Sequence, residues 1–113
     1  MEESILTSIK KLLGITEEYT QFDTDIIMHI NSVFMILHQL GVGPEEGFSI
    51  LDKNDTWDDY IDEGSNLEAV KTYMALKVRL LFDPPLSSAV MECMKQMISE
   101  YEWRLNVQAE LND

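Results

Sequence analysis

Residues 65–85, S-N-L-E-A-V-K-T-Y-M-A-L-K-V-R-L-L-F-D-P-P, constrain the fold more than any other stretch. Ser65 and Glu68 have the S-x-x-E spacing of a capping box, in which hydroxyl and carboxylate each accept from the other residue's amide. Leu67, Val70, Met74, Val78 and Leu81 follow in steps of three and four, which lines one face of an α-helix. Tyr73, Leu76, Leu80 and Phe82 widen that face, so the segment predicts a helix with neighbours on several sides. Pro84 and Pro85 stop it, because proline has no amide hydrogen and restricts the residue before it. The expected helix spans 65–82. It also carries a net positive charge, with Lys71, Lys77 and Arg79 set against Glu68.

That local excess of cations stands out because the 113-residue chain carries a net charge of −13. Glu45, Glu46, Asp52, Asp55, Asp58, Asp59, Asp62 and Glu63 crowd into residues 43–65 against Lys53 alone. Such a field repels phosphate and argues against direct nucleic-acid binding and against an anionic membrane surface. A hydrophobic content of 45% suits a single globular domain, 1–113, with one core. No apolar run approaches the length needed to cross a bilayer, and no charged-then-apolar leader points to secretion. The single cysteine, Cys93, cannot form an internal disulfide, which suits a reducing compartment.

Helical spacing accounts for most of the remainder. Ser4 is the expected cap of a short first helix with Ile5, Leu6, Ile9, Leu12 and Leu13 on its apolar side, closed by Gly14 and Ile15. Asp23 is the expected cap of a second helix, 24–40, carrying Ile26, Ile27, Ile30, Val33, Phe34, Leu37 and Leu40. Gly41-Val42 repeats the glycine-plus-apolar ending. Residues 43–64 form a long acidic loop, in which Phe48–Leu51 is a candidate strand and Trp57–Ile61 either its hairpin partner or a helical turn. Ser87 or Ser88 starts a last helix reaching about Ala109, with Val90, Met94, Met97, Tyr101 and Leu105 as its stripe. Its length predicts that the C-terminal end overhangs the bundle and displays Trp103, Leu105, Val107 and Leu111, unless these fold back on the first helix. The fold class is therefore all-α: about four helices, the acidic loop between helices two and three, and a long C-terminal helix.

Catalytic and metal-binding patterns are missing. Asp52, Asn54, Thr56 and Glu63 mimic part of a calcium loop, but the position that requires glycine is Trp57. His29 and His38 project from opposite sides of one helix and cannot share a metal. Cys93 lies beside an apolar stripe with no basic neighbour in sequence and reads as a packed, unreactive thiol. No phosphate-binding loop, nucleophile elbow or metal-spaced pair occurs. Neither enzyme activity nor a cofactor is expected.

Four segments carry a resemblance: L-T-S-I-K-K-L-L-G-I (6–15), I-I-M-H-I-N-S-V-F-M-I-L-H-Q-L-G-V-G (26–43), Y-M-A-L-K-V-R-L-L-F-D-P-P (73–85) and E-W-R-L-N-V (102–107). Together they resemble the head–tail connector, or adaptor, proteins of tailed bacteriophages. The resemblance implies a structural virion protein at the neck, present in the host cytoplasm before assembly. It implies a homo-oligomeric ring of about twelve copies beneath the portal protein, built on head-to-tail contacts. DNA would pass through the ring without specific binding, and a stopper or tail-completion protein would sit on its other side. By region, the portal-docking end falls on Trp103, Arg104, Leu105, Val107 and Leu111.

Charge extends that picture. The basic helix, through Lys71, Lys77 and Arg79, can face Asp58, Asp59, Asp62 and Glu63 of a neighbouring copy. Glu45, Glu46, Asp52 and Asp55 are left for the channel or the stopper. A different class of function also fits the charge, a soluble acidic inhibitor that mimics DNA and occupies a host protein. Such mimics spread their acids along an elongated surface, whereas here they are concentrated in one loop.

Overall fold

The computed structural model describes residues 3–60 and 67–111 and contains five helices. They are α1 (Ile5–Leu12), α2 (Asp23–Gln39), α3 (Trp57–Tyr60), α4 (Leu67–Phe82) and α5 (Ser88–Leu111). No strand occurs among the described residues; the nearest approach is an isolated antiparallel bridge between Ser4 and Thr56. Helix α4 packs against α2 on one side and α5 on the other, and α1 lies across α2 and α4. The core they enclose includes Ile5, Ile9, Ile26, Val33, Leu37, Val70, Tyr73, Met74 and Val78.

The helix ends follow from local chemistry. Ser4 Oγ accepts from the Thr7 amide at 3.2 Å and caps α1. Gly14 takes φ +83°, and the Ile15 amide returns to the Lys10 carbonyl at 2.8 Å, the long bond of a Schellman ending. Gly41, at φ +90°, closes α2 in the same way, with the Val42 amide on the Leu37 carbonyl. Asp23 differs from expectation: Phe22 is the cap residue and offers no side-chain bond. Asp23 is the first helical residue, and its Oδ1 lies 2.8 Å from Lys10 Nζ. At α4 the Asp83 amide bonds the Arg79 carbonyl before the two prolines, and Ser65 of the expected capping box lies outside the described residues. Ser87 Oγ accepts from the Val90 amide and starts α5.

The acidic loop is stitched down, not hairpinned. Asn31 on α2 acts as the partner of Ile50: its Oδ1 accepts from the Ile50 amide at 2.7 Å and its Nδ2 donates to the Ile50 carbonyl at 3.0 Å. A side-chain amide thus supplies what a neighbouring strand would have supplied. Trp57–Tyr60 forms the helical turn. Thr56 and Asp59 make a reciprocal box there, with Asp59 Oδ2 accepting from the Thr56 amide and Thr56 Oγ1 from the Asp59 amide. The Ile5 and Trp57 amides bond the Asp55 and Glu3 carbonyls, which ties the loop to the start of α1. Phe34, Phe48, Trp57 and Tyr60 pack ring against ring at centroid distances of 4.7 to 6.5 Å.

Candidate interaction surfaces

The inward face of helix α5 shares Met94, Tyr101 and Leu105 with the expected stripe but takes Ile98 in place of Val90 and Met97. Ile98 and Leu105 are buried, with Met91, Met94, Tyr101 and Ala109 partly covered along the same line. Val90 and Met97 stay outside, and no residue of the segment 88–97 is buried. The C-terminal half is the anchored half. Asn106 Nδ2 donates to the Leu40 carbonyl, and Gly41 faces the Ala109 side chain closely enough that an added Cβ would sit 3.2 Å from it. Apolar groups near the C-terminus do fold back, but onto the end of α2.

This placement divides the expected docking residues. Leu105 is 2% exposed and belongs to the core. Its neighbours two residues away along the helix point about 200° from it. Trp103 is 66% exposed, Leu111 is exposed, and Val107 between them is half-buried, so the three repeat every fourth residue along the outer side. Arg104 stands beside them, its guanidinium on Glu100 at 2.8 Å.

The cations of α4 are partly paired within the chain itself. Lys71 pairs with Glu3 at 3.0 Å, approaches Glu68 at 3.9 Å, and lies 5.6 Å over the Trp57 ring. Lys77 sits 3.8 Å from Glu102, which also accepts from the Tyr73 hydroxyl at 2.7 Å. Burial first, and the Glu102 carboxylate second, raise the Tyr73 pKa far above the ordinary phenol range. Burial alone raises that of Tyr60. Arg79 remains exposed, with only its Nε on the Asp83 carbonyl.

Among the expected loop acids, half-buried Asp55 and exposed Asp52 both bond the loop's own backbone. Asp55 Oδ2 accepts from the Leu51 and Asp52 amides, and Asp52 Oδ1 from the Asn54 amide. Asp59 accepts from the Thr56 amide at the start of α3, and Asp58, Glu45 and Glu46 are exposed without such a role. His38 Nε2 donates to the Glu45 carbonyl at 2.8 Å and fixes that end of the loop. Asp62 and Glu63 lie outside the described residues.

Three outward features had no signal in the apolar pattern. Met28 and Met35 sit outside on α2, Leu51 is 85% exposed at the tip of the loop, and Leu86 and Val90 are exposed where α5 begins. Cys93 is exposed too, contrary to the expectation of a packed thiol, because it sits one position off the inward line through Met94 and Ile98. A surface groove runs between α1 and α5 over α4. It is lined by Leu12, Thr72, Ala75, Leu76, Arg79 and Met94, and continues past Lys11 and Lys71. Among the described residues no group of three or more His, Cys, Asp or Glu could hold a metal ion. No described helix is long and apolar enough to cross a membrane.

No curated protein and no solved structure matches the chain. The sequence model of the phage connector proteins matches residues 5–112, every described helix included. The chain therefore belongs to the phage connector protein family, the structural proteins of the phage head–tail junction.

Proposed function

We propose that this chain is the subunit of a ring set between the portal and the tail or stopper, with DNA passing through the ring. Its family membership over nearly the whole sequence carries the reading. The surface supports it in two ways. Large apolar side chains stand outside on several elements, as a subunit that is buried by neighbours requires. The exposed acids Glu45, Glu46 and Asp58 would present like charge to phosphate, so that DNA slides without attractive contacts to hold it. The portal-docking end is the outer side of α5 at Trp103, Arg104, Val107 and Leu111, with Leu105 and Asn106 anchoring the helix beneath.

Electron microscopy of the chain mixed with the portal of the same phage tests this. A ring of added density at the narrow end of the portal is expected. Truncation at Glu102 is unsuitable as the control, because it removes Leu105 from the core and Asn106 from Leu40. Trp103→Ala with Leu111→Ala leaves both in place and should abolish portal binding. A chain that stays dispersed, and instead binds a basic nuclease in a salt-sensitive way, overturns the ring in favour of the acidic inhibitor.

A further inference from the structure

Accepting the ring reading, we infer that its subunit contact is a leucine plug: Leu51 of one copy seated in the α1–α4–α5 groove of the next. Leu51 is almost fully exposed, yet its backbone is not loose. Its amide is held by Asp55 Oδ2 at 2.6 Å, and the adjacent Ile50 is clamped on both sides by Asn31. A large apolar side chain held out on a fixed backbone loses little freedom on docking.

The groove has the matching shape and chemistry. Leu12, Ala75, Leu76 and Met94 give it apolar walls, and its hollow of about 290 Å³ accommodates a leucine side chain. Ala75 keeps the floor low. Arg79 lines this hollow and Lys11 its continuation toward Lys71, both exposed and without a carboxylate partner among the described residues. Lys71, farther along, is already matched by Glu3 and Glu68. The loop around Leu51 bears exposed Asp52, Asp58 and Glu46 and is the most acidic part of the chain. Charge complementarity thus selects this loop, from a second copy, as the occupant.

The donating and receiving surfaces are different ones. The plug rides on α2 through Asn31, whereas the groove lies between α1 and α5 on the other part of the α4 surface. Two different surfaces, one donating and one receiving, make a heterologous contact that propagates from subunit to subunit. The inward pairing of Lys77 with Glu102 removes it from this contact, and Lys11 takes its place.

Oxidative cross-linking tests the inference, in a Cys93→Ser background that removes the native thiol. Leu12→Cys with Leu51→Cys should give a ladder of covalent oligomers on the portal, and either cysteine alone should give none. Dimers from a single-cysteine chain, or rings seen by microscopy without a ladder, would overturn the plug while leaving the ring intact. Absence of any ring from the unaltered chain on the portal would overturn the ring reading and the plug with it. Leu51→Glu provides a second arm. It should leave the circular dichroism spectrum and melting unchanged, since the side chain is exposed, and lower ring occupancy at least tenfold. Normal rings from that variant refute the plug.

Discussion

Replacing Lys10 by methionine removes the one buried charged residue among the described residues, at the α1–α2 junction. The side chain is 2% exposed. Its ammonium donates to the Tyr19 carbonyl at 2.7 Å and the Glu17 carbonyl at 3.2 Å, and lies 2.8 Å from Asp23 Oδ1. The carboxylate contact is an ion pair without aligned hydrogen-bond geometry. Methionine keeps the hydrocarbon volume and deletes all three contacts. Removing one member of a buried ion pair costs about 3–5 kcal/mol, because the other is left uncompensated. Here the cost falls at the lower end. The Asp23 side chain is 26% exposed and can recover some hydration, and Glu17 and Tyr19 are surface residues whose carbonyls can reach water. A loss of about 3 kcal/mol is expected, a large share of the roughly 5–15 kcal/mol that holds a domain folded.

Urea unfolding followed by circular dichroism at pH 7 measures it, with Asp23→Asn and the double variant closing a cycle. The double variant should lose less than the two single losses added together, since each alone strands the other's partner. A Lys10→Met loss under about 1 kcal/mol, or strict additivity, refutes the assignment of Lys10 as the pin of this connection.

Gly43→Ala should destabilise by about 2–4 kcal/mol, since φ is +95° and a Cβ would stand 2.7 Å from Tyr60 Cε1 in a packed ring cluster; an unchanged denaturation midpoint contradicts the close approach. Leu105→Ala should cost about 2–5 kcal/mol, whereas Trp103→Ala should change stability by under about 0.5 kcal/mol, and the reverse order in thermal melting would mean that α5 is turned the other way. Alkaline titration should show stability flat up to about pH 10 from these tyrosines and falling above it. Tyr60 and Tyr73 keep their protons in the folded state while the unfolded chain releases them, so each contributes a slope of about 1.4 kcal/mol per pH unit. Tyr60→Phe should remove one such slope at no cost at pH 7, because its buried hydroxyl has no partner among the described residues.

Helix spans were legible because their signals are local. Ser4, Gly14, Gly41, Ser87 and the Pro84-Pro85 pair each act within about one turn of the end they mark, so spacing alone locates them. The loop between α2 and α4 was legible as an insertion but not in its form. What decides between a strand and a clamped extended segment is Asn31, 19 residues before Ile50. Asn31 carries no mark distinguishing it from a solvent-facing helix residue. The Thr56-Asp59 box was readable in T-W-D-D, and a search for capping pairs inside the loop would have found the α3 turn. Neither position nor type distinguishes Lys10 in the sequence from a solvated end-of-helix cation. Only the return of residues 17–23 over α1 encloses it.

The α5 stripe was legible only in part: Met94, Tyr101 and Leu105 face inward as expected, whereas Val90 and Met97 do not. A helix whose apolar residues all serve one core has a single apolar stripe, and spacing then identifies the buried side. In α5, Ile98 and Leu105 serve the core while Val90, Met97, Trp103 and Leu111 do not, so the apolar residues belong to more than one face. A periodicity count merges the faces and draws in outward residues such as Val90 and Met97. The same superposition occurs on α2, where Met28 and Met35 stand outside while Ile26, Ile30, Val33 and Leu37 are buried. Excess apolar residues that blur helical periodicity are what a subunit needs when its outer surfaces become interior on assembly. The Trp103→Ala and Leu105→Ala pair separates the two roles. Trp103→Ala should keep its stability and fail to dock, whereas Leu105→Ala should lose about 2–5 kcal/mol of stability, because apolar residues two apart on one helix answer to different interiors.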